Sequence, residues 1–122
     1  MYVANVEKVR EYKITEEGAH KVRVKYLLHK GVGAKKLQLR LFTIEVGGHT
    51  PLEKHAHEHE VFMLQGKALV LGGDKEVVAS PRDVIFIPSD EEHQFKNVGD
   101  EPVELLCTKE TGEIPEILKK GG

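Results

Sequence analysis

The stretch that decides the fold runs from Gly47 to Gly66 and reads GGHTPLEKHAHEHEVFMLQG. Its centre carries possible metal ligands at every second position: Glu53, His55, His57 and His59. Side chains at alternate positions of an extended chain point to the same side, so these four can converge on one ion. A run of His, Glu and Lys is usually a solvated face, but that reading does not explain this alternation. The pattern indicates a metal site on a strand.

A fifth candidate ligand, His93, lies far along the chain in the segment PSDEEHQFKN, next to another predicted strand. A local cluster of ligands plus one distant histidine is typical of a metal site built across a β-scaffold. The remaining histidines, His20, His29 and His49, stand alone, and we assign them no role.

Composition excludes several classes of function. The chain has 122 residues, with 18 basic against 20 acidic side chains. A single domain is expected at this length. Without a basic block there is no electrostatic case for nucleic acid or an anionic membrane as a partner. The start of the chain lacks the pattern of a signal peptide, and Cys107 is the one cysteine, which fits a reducing compartment. We therefore expect a soluble cytoplasmic protein.

Alternation of apolar and polar residues dominates the chain and predicts many short strands separated by Gly, Pro and Asp turns. We found no convincing amphipathic helix, except that residues 114–120 could form a short one in an otherwise mobile tail. This pattern is typical of an all-β sandwich or barrel of antiparallel strands. The predicted strands are His20 to His29, Leu37 to Val46, His59 to Leu64, Lys67 to Leu71, Glu76 to Ala79, Val84 to Ile87 and Val103 to Thr108.

Two segments together resemble the paired motifs of the cupins, which are small double-stranded β-helix or jelly-roll barrels. The first is Gly47 to Gly66, which is similar to the pattern GGxTPLHxHxxEHExFVLxG of small single-domain cupins. The second runs from Pro81 to Asn97 and keeps that family's Pro, His and Asn spacing, although Arg82 and Asp90 stand at glycine positions. The resemblance implies a barrel core over about residues 20–108, an N-terminal strand in residues 1–19 and a tail in residues 109–122.

Alignment on Gly66 implies a metal-binding set in which Glu53 stands where the family has a histidine. The set is Glu53, His55, His59 and His93. A competing register pairs His55 with His57 and takes Glu58 or Glu60 as the carboxylate. We disfavour it because Glu60 has the opposite parity to His59 and should point out of the barrel. His57 remains an alternate ligand that could replace Glu53.

Three imidazoles and one carboxylate suit a divalent transition metal: Mn, Fe, Co, Ni or Zn. Four protein ligands on a six-coordinate ion leave two positions for water, dioxygen or a chelating substrate. The resemblance implies a metal-dependent enzyme acting on a small molecule, with a Mn- or Fe-dependent dioxygenase or a related lyase as the first hypothesis. The alternative is a non-catalytic, metal-stabilised barrel that binds or senses a small ligand.

In the small cupins that this sequence resembles, four further positions look into the metal pocket. Arg40 and Cys107 are the candidate catalytic side chains here, and Phe95 and Leu105 are candidate pocket residues. An inward Arg40 could hold a substrate carboxylate in a two-pronged pair. Cupins of this size commonly form homodimers, often by exchange of a terminal strand, and the alternating stretch from Val6 to Ile14 is a candidate for that role.

Overall fold

The computed structural model describes residues 1–121, with side chains described through Lys119. It confirms the all-β prediction, because strands form nearly the whole barrel and the one α-helix, α1, is the short segment Glu116–Gly121. Its nine strands are β1 Glu11–Lys13, β2 His20–Leu28, β3 Leu37–His49, β4 His59–Gln65, β5 Ala68–Gly72, β6 Lys75–Ala79, β7 Val84–Ile87, β8 His93–Asn97 and β9 Val103–Glu110.

All strand pairs are antiparallel, and they form one curled sheet with two arms. One arm has the order β1-β2-β3-β9-β4-β7, and the other has the order β6-β5-β8. The arms join where His49, at the end of the long strand β3, pairs with Lys96 of β8. The metal-ligand candidates lie where these arms face each other, on β4, β8 and the loop before β4.

The inner face of the barrel follows the alternation seen in the sequence. Along β4 the burial pattern alternates strictly, with His59, Val61 and Met63 inward. Strands β2 and β9 alternate in the same way. Burial of these side chains removes apolar surface from water and supplies the main driving force for the fold. The largest of the fully buried side chains are Ile44, Met63, Val22, Val24 and Val103.

Strand β8 was not among the predicted strands, since its sequence HQFKN has little apolar alternation. Its polar residues are buried because specific hydrogen bonds satisfy them. Gln94 Nε2 donates to the Thr50 carbonyl at 2.8 Å, and Asn97 Nδ2 donates to the carbonyls of Ile44 at 2.9 Å and Glu101 at 2.8 Å. The Phe95 amide also donates to the Thr50 hydroxyl at 2.9 Å. The bonds to Thr50 tie the loop before β4 to β8, and the bond from Asn97 to Ile44 ties β8 to β3.

Both ends of the chain differ from their predicted description. The proposed strand from Val6 to Ile14 is a strand only over Glu11–Lys13, because Val6–Lys8 is a 3-10 turn, in which the Glu7 amide donates to the Asn5 side chain. Strand β1 pairs with β2 of its own chain. The homodimer and its strand exchange therefore stay predictions.

The segment predicted as a tail folds back onto the barrel. Leu118 of α1 is buried in one cluster with Tyr12, Val24 and Tyr26. A helix this short is not stable in isolation. The burial of Leu118 supplies the free energy that holds it in place. Within residues 1–121, no helix has the length and apolar character needed to cross a membrane.

Arg82 and Asp90, which stand at the glycine positions of the second motif, both adopt positive φ, at 77° and 63°. A side chain in this left-handed region costs about 1–2 kcal/mol, whereas glycine costs about 0.5–1 kcal/mol in chain entropy. We therefore expect Arg82→Gly to raise the free energy of unfolding by roughly 0.5–1 kcal/mol, measured by urea denaturation. The hydrogen bond from its amide to the Met63 carbonyl is kept.

A matched control for this prediction is Glu76→Gly in the exposed strand β6. Glycine relieves no strain there, so this variant should lose about 0.5–1 kcal/mol. A loss of stability in Arg82→Gly as large as that in Glu76→Gly would show that position 82 is not strained.

Candidate metal centre

Three of the predicted ligands come together inside the barrel. Each of His55, His59 and His93 offers a ligand atom within 4.8 Å of those of the other two. His59 is the first inward residue of β4, and His93 is the first residue of β8. His55 lies in the loop before β4, and its carbonyl accepts a hydrogen bond from the Asp90 amide at 2.6 Å. The cluster therefore combines one side chain from each arm of the sheet with a third from the loop before β4.

The outer nitrogens of the two buried histidines are held by the protein. Nδ1 of His93 lies 2.9 Å from the Glu91 carbonyl, which can only accept, so this nitrogen carries the proton and Nε2 keeps its lone pair. Nδ1 of His59 lies 3.3 Å from the Cys107 sulfur. Metal binding through Nε2 of His59 requires a proton on Nδ1, and the sulfur is then its acceptor. The His93 ring is thus oriented with Nε2 available to an ion, and the His59 ring offers its Nε2 in the same way when Nδ1 carries the proton.

Glu53 lies beside this cluster and contacts one of its members. Its Oε1 is 3.3 Å from Nε2 of His55, and its backbone forms a two-way hydrogen-bonded bridge with His93. Neighbouring ligand atoms on an octahedral ion with bonds of about 2.1 Å are separated by about 3 Å. The distance between Glu53 and His55 therefore matches that between two adjacent ligands. Glu53 does not join the 4.8 Å group, which comprises the three histidines.

His57 is the other candidate for a fourth ligand. Its ring stacks on His55 at a centroid distance of 4.6 Å and meets His59 edge-on at 4.7 Å. Its Nε2 is buried and has no hydrogen-bond partner among the described residues. A buried polar atom without a partner is costly and indicates a missing ion, water or ligand. Glu60, a candidate carboxylate of the disfavoured register, is exposed, as its parity predicts.

The four predicted pocket residues all face inward. Phe95, Leu105 and Cys107 are buried in the main core cluster, and the charged Arg40 is buried opposite Cys107 in the pairing of β3 with β9. Nη2 of Arg40 lies 3.3 Å from the Cys107 sulfur and 3.5 Å from Nδ1 of His59. Burial raises the pKa of the Cys107 thiol, although Arg40 acts in the opposite direction. Arg40 and Cys107 thus contact the histidine cluster at Nδ1 of His59.

These side chains line a cavity of about 240 Å³, whose wall is mostly apolar but also carries the histidines and charged side chains. The sequence reasoning missed several of its lining residues. Lys109 follows Cys107 by two positions and shares its parity, which is a signal that could have identified it. Tyr26 carries the same kind of signal, because it shares the parity of Val22 and Val24 on β2. Glu16 and Leu118 carry none, because only the folded chain brings the β1–β2 loop and helix α1 to the cavity. The pKa of Glu16 is raised, mainly by desolvation and then by the neighbouring Glu53 carboxylate.

The histidine cluster makes the metal-free protein sensitive to acid. Burial lowers the pKa of His59 from 6.5 to about 3 and that of His57 to about 4, with Arg40 and Lys109 adding to the effect. Below pH 6.5 the unfolded chain binds protons that the folded chain does not. The free energy of unfolding should therefore fall as the pH decreases from 6.5 towards 3.

The thermal midpoint of metal-free protein, measured against pH, tests this expectation. We expect His59→Gln to flatten the decrease below pH 6.5, since glutamine has no proton to gain. The control His20→Gln changes a histidine outside the cavity and should follow the wild-type curve. The same slope in His59→Gln and wild type would contradict the assignment of the effect to His59.

A small antiparallel β-barrel with a three-histidine cluster facing its inner cavity is the class of protein that the fold and site define. Residues 40–109 match the family model of the cupin domain. The chain belongs to the cupin family, and the resemblance seen in its two motifs is confirmed.

Relatives and solved structures extend this comparison. The chain is 35% identical over 94 residues to 1-methylthio-D-xylulose 5-phosphate methylsulfurylase of Rhodospirillum rubrum, covering 75% of this chain and 60% of that protein's length. It is 30% identical over 104 residues to an uncharacterized protein of Methanocaldococcus jannaschii, covering 83% and 79%. The structure of the polyketide cyclase RemF from Streptomyces resistomycificus superimposes with a TM-score of 0.86 at 26% identity, covering 94% and 82%. This cupin thus has enzymes among its similar proteins.

Proposed function

We propose that this protein is a metal-dependent enzyme that converts a small organic molecule inside the barrel. The convergence of His55, His59 and His93 on a cavity of about 240 Å³ carries the proposal. Structural metal sites are usually closed by four protein ligands, whereas catalytic sites keep positions open to substrate. A ligand cluster that lines a cavity fits the catalytic kind. The enzymes among the similar proteins support the same conclusion.

The donor set fits a divalent transition ion. The residues that would hold it are His55, His59 and His93, with Glu53 as the proposed fourth ligand and His57 as the alternate. Neutral imidazoles are required, and the lowered pKa values of His57 and His59 keep these two rings neutral well below pH 6.5. This nitrogen-rich set suits Mn, Fe, Co, Ni or Zn and is a poor match for calcium.

A bound ion would act as a Lewis acid and would offer open coordination positions to substrate or dioxygen. The chain's own residues do the rest. Phe95, Leu105 and the other apolar side chains of the wall offer apolar surface to the substrate. Glu16 and Glu53 place two carboxylates at its edge, and the raised pKa of Glu16 favours its holding a proton there. We propose dioxygenation or a related lyase reaction as the chemistry that these features serve.

Metal-dependent turnover tests the proposal. The metal-free protein would be reconstituted separately with Mn, Fe(II), Co, Ni and Zn and screened against small organic acids and phosphorylated sugars. Oxygen consumption and product masses would be recorded together. Turnover with oxygen uptake supports a dioxygenase, and turnover without it supports a lyase. If a candidate substrate binds saturably but no metal form turns it over, the protein is a non-catalytic binding barrel and the enzyme proposal is wrong.

A further inference from the structure

Two cationic side chains, Arg40 and Lys109, line the same cavity at adjacent inward positions. In the pairing of β3 with β9, Arg40 is opposite Cys107, and Gln38 is opposite Lys109. Arg40 and Lys109 are therefore diagonal neighbours on the inner face of the sheet. Their Cα atoms stand roughly 7–8 Å apart in such an arrangement, which is within reach for two long side chains.

Arg40 is a buried charge with only neutral partners. The residue is 9% exposed, and its Nη2 contacts the Cys107 sulfur and Nδ1 of His59. Its Nε has no hydrogen-bond partner in the part of the chain whose side chains are described. A buried guanidinium is costly unless an opposite charge pairs with it. Its guanidinium also lies over the Phe42 ring, 4.8 Å from the ring centroid. Among the described side chains, Arg40 therefore has no opposite charge as a partner.

Lys109 adds a second positive charge and does not compensate the charge of Arg40. It is half-buried, and its pKa is lowered by desolvation and then by Arg40. Among the side chains through Lys119, no carboxylate oxygen lies within 4.0 Å of the charged nitrogens of either residue. Glu110, the next residue, is exposed, and Glu53 pairs with His55. Like charges at neighbouring positions of a sheet are destabilising, so this pair favours the binding of an anion.

We propose that Arg40 and Lys109 form an oxyanion subsite in the cavity, which binds the carboxylate or phosphate group of a small organic ligand. A guanidinium fork and an ammonium supply charge-assisted hydrogen bonds to such a group. The subsite adjoins His59 and hence the candidate metal centre. That the bound anion is the substrate rests on the proposed function, but its binding to the two cations does not. The cavity of about 240 Å³ limits the ligand to a small molecule.

Calorimetric titration of metal-free protein tests this subsite without any need for turnover. The probes are malonate and inorganic phosphate, each added at constant ionic strength after the chelator has been dialysed away. We expect saturable binding of at least one probe at one site per chain. Arg40→Gln and Lys109→Gln should each weaken it by about tenfold to hundredfold. The tighter of the two probes identifies the class of the anion.

The control variant is Lys75→Gln, which removes a positive charge from the exposed β5–β6 hairpin and should leave binding unchanged. The inference is overturned if the wild-type protein binds neither probe saturably, or if Lys75→Gln weakens binding as much as Lys109→Gln does. Should Arg40→Gln fail to fold, Lys109→Gln decides the question, because Lys109 is only half-buried. Turnover without anion binding would overturn the subsite but not the proposed function. Anion binding without turnover would support the subsite and count against the proposed function.

Discussion

The His93→Ala protein is expected to retain less than about a tenth of the metal that the wild-type protein binds, when both are dialysed against the same dilute metal. His93 offers Nε2 to the cluster while its Nδ1 is held by the Glu91 carbonyl, so alanine removes a ligand that the backbone has already oriented. Loss of a group that only orients a ligand already weakens metal binding by about 10–100-fold, and loss of the ligand should cost more. Plasma mass spectrometry of untagged protein measures the content per chain.

His20→Ala is the matched control, because His20 is exposed and does not line the cavity. It should keep the wild-type metal content. Equal metal content in His93→Ala and His20→Ala, with both proteins folded, would show that His93 does not hold the metal.

The same measurement separates the two candidates for the fourth ligand. We expect Glu53→Ala to weaken metal binding by at least about tenfold, because its carboxylate stands at ligand distance from His55. His57→Ala should retain the metal. The opposite result would assign the fourth position to His57, whose unpartnered Nε2 is the observation in its favour.

Gly66→Ala is expected to destabilise the protein by roughly 3 kcal/mol or more, the largest stability effect that we predict. Gly66 has φ +80°, and a Cβ built there would lie 2.7 Å from the Pro102 carbonyl oxygen and 3.0 Å from Cα of Val103. The positive φ costs about 1–2 kcal/mol, and a clash with backbone that cannot turn aside adds about 1–3 kcal/mol. Urea denaturation of the metal-free protein measures the change, so that metal affinity does not contribute.

Gly47→Ala provides an unusually close control for this prediction. Gly47 has the same φ of +80°, but a Cβ there would meet nothing within 4 Å. Its replacement should cost only the conformational part, about 1–2 kcal/mol. If the two variants lose the same stability, the close packing of Gly66 against Pro102 and Val103 contributes nothing.

The barrel could be predicted from the sequence because strands and turns are encoded by residues that are close together in the chain. Alternation along β4 and β9 requires only that each strand bury one face, and turn residues mark where strands end. The same parity argument predicted that Phe95, Leu105 and Cys107 face inward and that Glu60 faces out, as the structure shows. Strand β8 was not predicted because most of its buried residues are polar. Their burial depends on hydrogen bonds to Thr50 and Ile44, which are distant in the sequence.

Metal-ligand candidates could be identified from spacing, but their relative positions could not. Parity places Glu53, His55, His57 and His59 on one side of an extended chain. The loop before β4 is not a regular strand, so its backbone decides which of them approach His93. In the structure His55 and His59 do so, Glu53 stays at the edge, and His57 stacks on His55. Hydrogen bonds from this loop to β8 set that arrangement.

By itself, therefore, the sequence determined the all-β class, the inward and outward faces of its strands and the histidines that could bind a metal. These follow from side-chain periodicity and turn chemistry, which act over a few residues. Only the tertiary structure decided that Glu16 and Leu118 reach the cavity and that Arg40 and Lys109 stand together with no paired carboxylate among the side chains through Lys119. The physical reason is that such contacts join segments separated by many residues. Their geometry depends on how the two arms of the sheet and both chain ends pack around one core.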